Sequence, residues 1–71
     1  MNEMRYAVII EHGSGGVSAY VPDLPGCIAA GRTVEEVRSL IQGAIKLHVA
    51  GLREDGEPVP PPSSEVEYVE A

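Results

Sequence analysis

The chain contains no phenylalanine, no tryptophan and a single cysteine, Cys27. One cysteine excludes an internal disulfide. The two histidines, His12 and His48, form no Cys/His cluster with zinc-ligand spacing, so a structural zinc is excluded as well. A 71-residue chain makes one domain with a modest core. Without disulfide, metal or large aromatics, that core rests on Val, Ile and Leu plus Tyr6, Tyr20 and Tyr68. Self-association is the remaining source of extra stability, and a homo-oligomer, dimer or tetramer, is expected. Basic residues are also scarce: five Lys and Arg stand against eleven Asp and Glu, a formal charge of −6. Such a surface disfavours direct contact with nucleic acid and favours a basic partner, while net charge alone also serves solubility. No run approaches the roughly 20 apolar residues that span a bilayer, and residues 1–6 are too polar for a signal peptide. The lone cysteine and the lack of a leader predict a cytoplasmic protein with no membrane partner.

What is present reads as an α+β chain. Residues 4–11 (MRYAVIIE) are β-branched and apolar and predict a strand. Met4, Tyr6, Val8 and Ile10 share one face; Ala7 and Ile9 make the other partly apolar, which predicts a central place in the sheet. His12 to Gly16 is a flexible hairpin loop, and residues 17–21 (VSAYV) form the returning strand, with Val17, Ala19 and Val21 alternating against Ser18 and Tyr20. In Pro22-Asp23-Leu24-Pro25-Gly26, Pro25-Gly26 fits the centre of a type II turn, where proline presets φ and glycine accepts a positive one. A third strand follows at residues 27–31.

Thr33 and Glu36 form a T-x-x-E capping box, and Glu35 and Glu36 complement the positive end of a helix dipole. From residue 34 to about 54 the apolar positions Val34, Val37, Leu40, Ile41, Ala44, Ile45, His48 and Leu52 fall in one arc, opposite Glu35, Arg38, Gln42, Lys46 and Arg53. Gly43 and Gly51 weaken such a helix and mark close packing; Gly56 is placed to cap its end. Prolines then enforce an extended run, and residues 65–69 (EVEYV) alternate as a fourth strand with one solvated face. The order β-β-β-α-β predicts a four-stranded mixed sheet, order 3-2-1-4, with the fourth strand parallel to the first through a right-handed crossover and the helix on one face.

Pro22-Asp23-Leu24-Pro25-Gly26-Cys27, then Gly31 and Thr33-x-Glu35-Glu36, then Gly51-Leu52 with Asp55-Gly56-Glu57-Pro58-Val59-Pro60 and the proline-serine run resemble the HicB antitoxins of bacterial and archaeal toxin–antitoxin pairs. The resemblance covers nearly the whole chain. It implies a degenerate ribonuclease H-like fold and a partner: HicB proteins neutralise HicA, a small basic ribonuclease, by covering its active site. A charge of −6 suits such a partner. Longer HicB proteins carry a C-terminal DNA-binding domain; this sequence runs only to Ala71, so operator binding by it is not expected.

The candidate contact residues are the acidic Glu11, Asp23, Glu35 and Glu36, with Leu24 and Pro25 of the turn. Each has a plainer role beside the functional one. Asp favours turns because its carboxylate bonds nearby N–H groups, and the two helix glutamates serve the cap. Cys27 and His48 read as packed core or interface residues, and Gly13-Ser14-Gly15-Gly16 lacks the Lys-Ser/Thr of a phosphate loop. Two other functions compete: a residual ribonuclease holding magnesium on Glu11 and Asp23, and a solitary oligomeric regulator with a small-ligand pocket. Two-metal cleavage needs several carboxylates converging on one point, which this spacing does not promise, so no catalytic residue, metal or cofactor is assigned.

Overall fold

A computed structural model describes residues 4–71. Three strands, β1 (Ile9–Gly13), β2 (Gly16–Tyr20) and β3 (Ile28–Gly31), precede one helix, α1 (Val34–Glu54). The strands form an antiparallel sheet in the order β1-β2-β3, so β2 is the central strand. The register sets Ile10 opposite Ala19 and Ala19 opposite Ala29 on one face; Ile9, Tyr20 and Ile28 form the matching row on the other.

The helix covers the first of these faces. Val17, Ala19 and Val21 meet Val37 and Ile41 of α1, with Leu24 and Cys27 closing the end of the core. Tyr6, Val8 and Ile10 pack at its margin from the β1 side. Leu24 and Val37 are fully buried, each stabilising the fold by about 1.5–3 kcal/mol through removal of apolar surface from water. Burial pushes the Cys27 thiol up from its ordinary range, and Cys27 is a free, buried cysteine that fills core volume.

Local signals place these elements. The backbone N–H of Cys27 donates to the carbonyl of Leu24 at 3.0 Å, closing a turn with Pro25 and Gly26 at its centre, and Gly26 has φ of 86°. Val21 N–H donates to Cys27 O at 3.1 Å, which returns the chain directly from β2 to β3. At the helix start Thr33 Oγ1 accepts from Glu36 N–H at 3.1 Å, while Glu36 Oε1 accepts from Arg32 N–H at 2.7 Å. The helix ends as Gly56 N–H donates to Arg53 O and Glu57 N–H to Leu52 O, with Gly56 at φ 70°. This paired C-terminal closure leaves few helix carbonyls unsatisfied.

Four expectations differ from the described structure. The first strand begins at Ile9, not residue 4, because its partner β2 ends at Tyr20, where Val21 and Pro22 turn away toward β3 and leave residues 4–8 no ladder. In the three-stranded sheet β1 is therefore an edge and not a central strand. Residues 65–69 carry the alternation of a strand yet pair with no strand among the described residues. Pro60, Pro61 and Pro62 have no N–H to give, and the N–H groups of Ser63 and Ser64 are committed to Asp23. On α1, Leu40 belongs to the apolar arc yet is 48 % exposed, while Val49, outside the residues of that arc, packs against the core.

Candidate partner-binding surface

The turn after β2 places Leu24 inward and Asp23 toward the C-terminal segment. Leu24 has 0 % exposure and anchors the turn to the core. The Asp23 carboxylate accepts four hydrogen bonds: from Ser63 N–H at 2.9 Å and Ser63 Oγ at 3.1 Å, and from Ser64 N–H at 2.9 Å and Ser64 Oγ at 2.8 Å. These donors, the Ser64 and Ser63 backbone N–H groups foremost, hold the Asp23 carboxyl below its usual range. A second tie lies close by, where the Tyr6 hydroxyl donates to the carbonyl of Pro60. Burial and then the Asp23 charge raise the Tyr6 hydroxyl above its ordinary value, so Tyr6 stays a neutral donor.

Between them the two ties hold residues 60–64 across the margin of the sheet and aim the following arm along residues 5–10. Ser64, Glu65 and Val66 line one shallow groove with Arg5, Tyr6 and Ala7. Val66 and Tyr68 line the next with Val8, Ile9 and Ile10. The arm is nonetheless open to solvent: Tyr68 is 96 % exposed.

The six candidate residues fall into two groups. Asp23, Leu24 and Pro25 lie at the β2–β3 turn. Glu11 is the central residue of β1, opposite Ser18 and in the row of Ala30, and α1 starts directly after β3. Glu35 and Glu36 therefore belong to the end of the sheet away from that turn, while Glu11 lies midway along it. Glu11, Glu35, Glu36 and Pro25 are exposed, while Asp23 is occupied within the chain. Among the described residues no group of three or more His, Cys, Asp or Glu side chains is placed to hold a metal ion.

The pairing of Asp23 with Ser63 and Ser64, forty residues on, escaped the sequence reading. A helix on one face of the sheet leaves the other face open, as the sequence implies; the register adds which residues form it: Ile9, Tyr20 and Ile28 stand side by side and Ile28 is 69 % exposed. The alternation of β2 carried this second point, since it set Tyr20 opposite the buried Val17, Ala19 and Val21. This apolar row lies on a solvated sheet face, with Glu11 in the next row.

A family model described as the HicB_like antitoxin of bacterial toxin–antitoxin systems matches residues 6–71. The chain belongs to this HicB-like family. An uncharacterized 14.9 kDa protein of Haemophilus phage HP1 is 36 % identical over 66 residues, covering 93 % of this chain and 50 % of that protein. The chain thus spans half the length of that relative. A UPF0150 protein of Thermoplasma acidophilum is 35 % identical over 63 residues, covering 87 % of this chain and 91 % of its own. A UPF0150 protein of Helicobacter pylori is 38 % identical over 52 residues, 73 % of this chain and 72 % of that one. Among solved structures, a chain of a "HicA3 and HicB3 toxin-antitoxin complex" superposes with a TM-score of 0.70 at 32 % identity, over 83 % of this chain and 70 % of its own. Among the described residues, no helix of this HicB-like chain is long and apolar enough to cross a membrane.

Proposed function

We propose that this HicB-like chain is an antitoxin-type binding protein of the cytoplasm, which neutralises a small basic HicA-like mRNA-cleaving toxin by covering its active site. The observation that carries the reading is the family match over residues 6–71 together with the likeness to a chain of a HicA–HicB complex. The physical basis is complementary charge and an apolar landing surface. The net charge of −6 accelerates encounter with a basic protein and sets its orientation. The row Ile9, Tyr20 and Ile28 supplies apolar contact, and Glu11, in the row beside it, and the helix-start pair Glu35 and Glu36 supply acidic contacts. Pro25 offers a further exposed point at the β2–β3 turn. Asp23 and Leu24 act from within, by fixing the turn and the arm that the partner meets.

In this reading the arm at residues 65–69 becomes the fourth strand of the ribonuclease H-like sheet when a partner orders it. The chain works without chemistry of its own. Of the carboxylates named for a two-metal ribonuclease, Glu11 and Asp23, the second already accepts four hydrogen bonds within the chain. Neither cofactor nor nucleic-acid contact is required.

Co-expression with the product of a neighbouring gene, a short basic protein containing a Gly-Ser-His motif, tests the reading. Rescue of growth and a stable co-purified complex that weakens as salt rises are expected. Continued toxicity with no complex, under conditions where both proteins are folded and soluble, overturns it.

A further inference from the structure

Helix α1 packs chiefly over β2 and β3, and β1 lies at its flank. The helix-side face of residues 4–10 is therefore covered only in part: Tyr6, Val8 and Ile10 are half-buried. A groove of about 420 Å³ lies between this face and the helix. Its floor is apolar, with Val8 and Ile10 on one side and Ile41 and Ile45 on the other. Its rim is basic. Arg5 stands on the strand side, Arg38 and Gln42 stand one turn apart on the helix, and all three are exposed. The chain has only five Lys and Arg residues, and two of them line this one groove. Among the described residues, no acidic side chain lines it.

We propose that this groove binds a small amphipathic carboxylate of the fatty-acid type, its tail on the apolar floor and its head at the arginines. Small-molecule sites are mostly apolar concavities of roughly 300–1,000 Å³ with a few placed polar groups, and this groove has that form. The tail takes the surfaces of Val8, Ile10, Ile41 and Ile45 out of water. The head accepts from guanidinium N–H groups, whose fork matches a carboxylate, and from the Gln42 amide. Charge selects this occupant over others. A basic protein is repelled by the rim and drawn to the acidic residues elsewhere. A polyanion such as nucleic acid meets the full −6 of the chain wherever it extends past the groove. A single anionic head feels mainly the nearby arginines, because exposed charges more than about 8 Å away are largely screened at physiological salt. A bare anion would leave the isoleucine floor unused. The site does not depend on the toxin reading, which rests on the helix-free face of the sheet.

Amide correlation spectra of the isotope-labelled full chain, titrated with decanoate below its micelle-forming concentration, test the proposal. Saturable shifts are expected, centred on residues 5–10 and 38–45. Decyltrimethylammonium, with the same tail and a cationic head, is the counter-probe. The overall charge of the chain attracts it, so weaker binding than decanoate at these residues isolates the local arginines. Acetate, a head without a tail, should give no saturable shift there. Arg38→Gln should keep the wild-type spectrum elsewhere and raise the decanoate dissociation constant about tenfold, or roughly 1.4 kcal/mol. Arg5→Gln, in a segment outside the strand ladder, should act in the same direction. Lys46→Gln removes the same charge from an exposed helix position outside the groove and should leave the constant nearly unchanged. Absence of saturation, shifts centred outside the groove, equal or tighter binding by the cationic probe, saturable binding of acetate, or wild-type affinity in both folded arginine variants overturns the proposal.

Discussion

Residues 17–41 and residues 57–71 are held in place by different forces. All seven buried apolar residues of the described chain, from Val17 to Ile41, lie in the first region. The second region contributes none and is tied by hydrogen bonds, from Ser63 and Ser64 to Asp23 and from Tyr6 to Pro60. Apolar burial is cooperative and sets whether the chain folds. The polar ties sit in partial contact with water, where each contributes little to global stability but fixes direction. The arm can therefore be released or reordered by a partner without unfolding the domain.

The sharpest way to break this comparison is Leu24→Ala. Removing a fully buried leucine should destabilise by about 2–5 kcal/mol, enough to unfold much of so small a domain, as followed by urea denaturation. Equal stability would show that the turn, and not the core, carries its own weight. Gly16→Ala follows. Gly16 has φ of 151°, and a Cβ there would stand 2.5 Å from the Gly31 carbonyl oxygen, so β2 and β3 would have to separate locally. A loss of roughly 1–3 kcal/mol is expected in the same assay.

The arm should respond differently. Asp23→Ala is expected to leave the melting transition of α1 nearly unchanged while amide exchange at Ser63 and Ser64 accelerates. Acid should mimic it. The folded-state pKa of Asp23 is depressed, so its contribution is present above the unfolded value of about 3.9 and is lost as pH falls through the lower folded value. The Ser63 and Ser64 amide resonances should hold steady down to the ordinary carboxylate range and shift only below it. Smallest of all, Tyr68→Ser should change stability by less than about 0.5 kcal/mol, because its ring is almost wholly in water, yet weaken partner binding.

The contrast also explains what the sequence made legible. The helix runs over the 34–54 span read from Thr33-x-x-Glu36 and Gly56, because caps and glycines act within a few residues of themselves. The Pro25-Gly26 turn was legible for the same reason. The fourth strand was not: alternation at residues 65–69 says which side chains share a face, but not where the N–H groups of Ser63 and Ser64 go. That depends on Asp23, a partner distant in sequence. The exposure of Leu40 was not legible either, because helical periodicity gives the width of an apolar arc, whereas the sheet beneath decides how much of that arc is covered. Glu35 and Glu36 were visible as acidic residues, but their place at the end of the sheet away from Asp23 follows from strand direction, which only the assembled sheet displays.

Titration of a purified basic HicA-like toxin with this chain tests binding without catalysis most directly, with cleavage of labelled RNA in Mg²⁺ as the readout. Cleavage should vanish near equimolar addition, and the chain alone should leave the RNA whole. Undiminished cleavage at excess chain, or cleavage by the chain alone that Asp23→Asn abolishes, would contradict it.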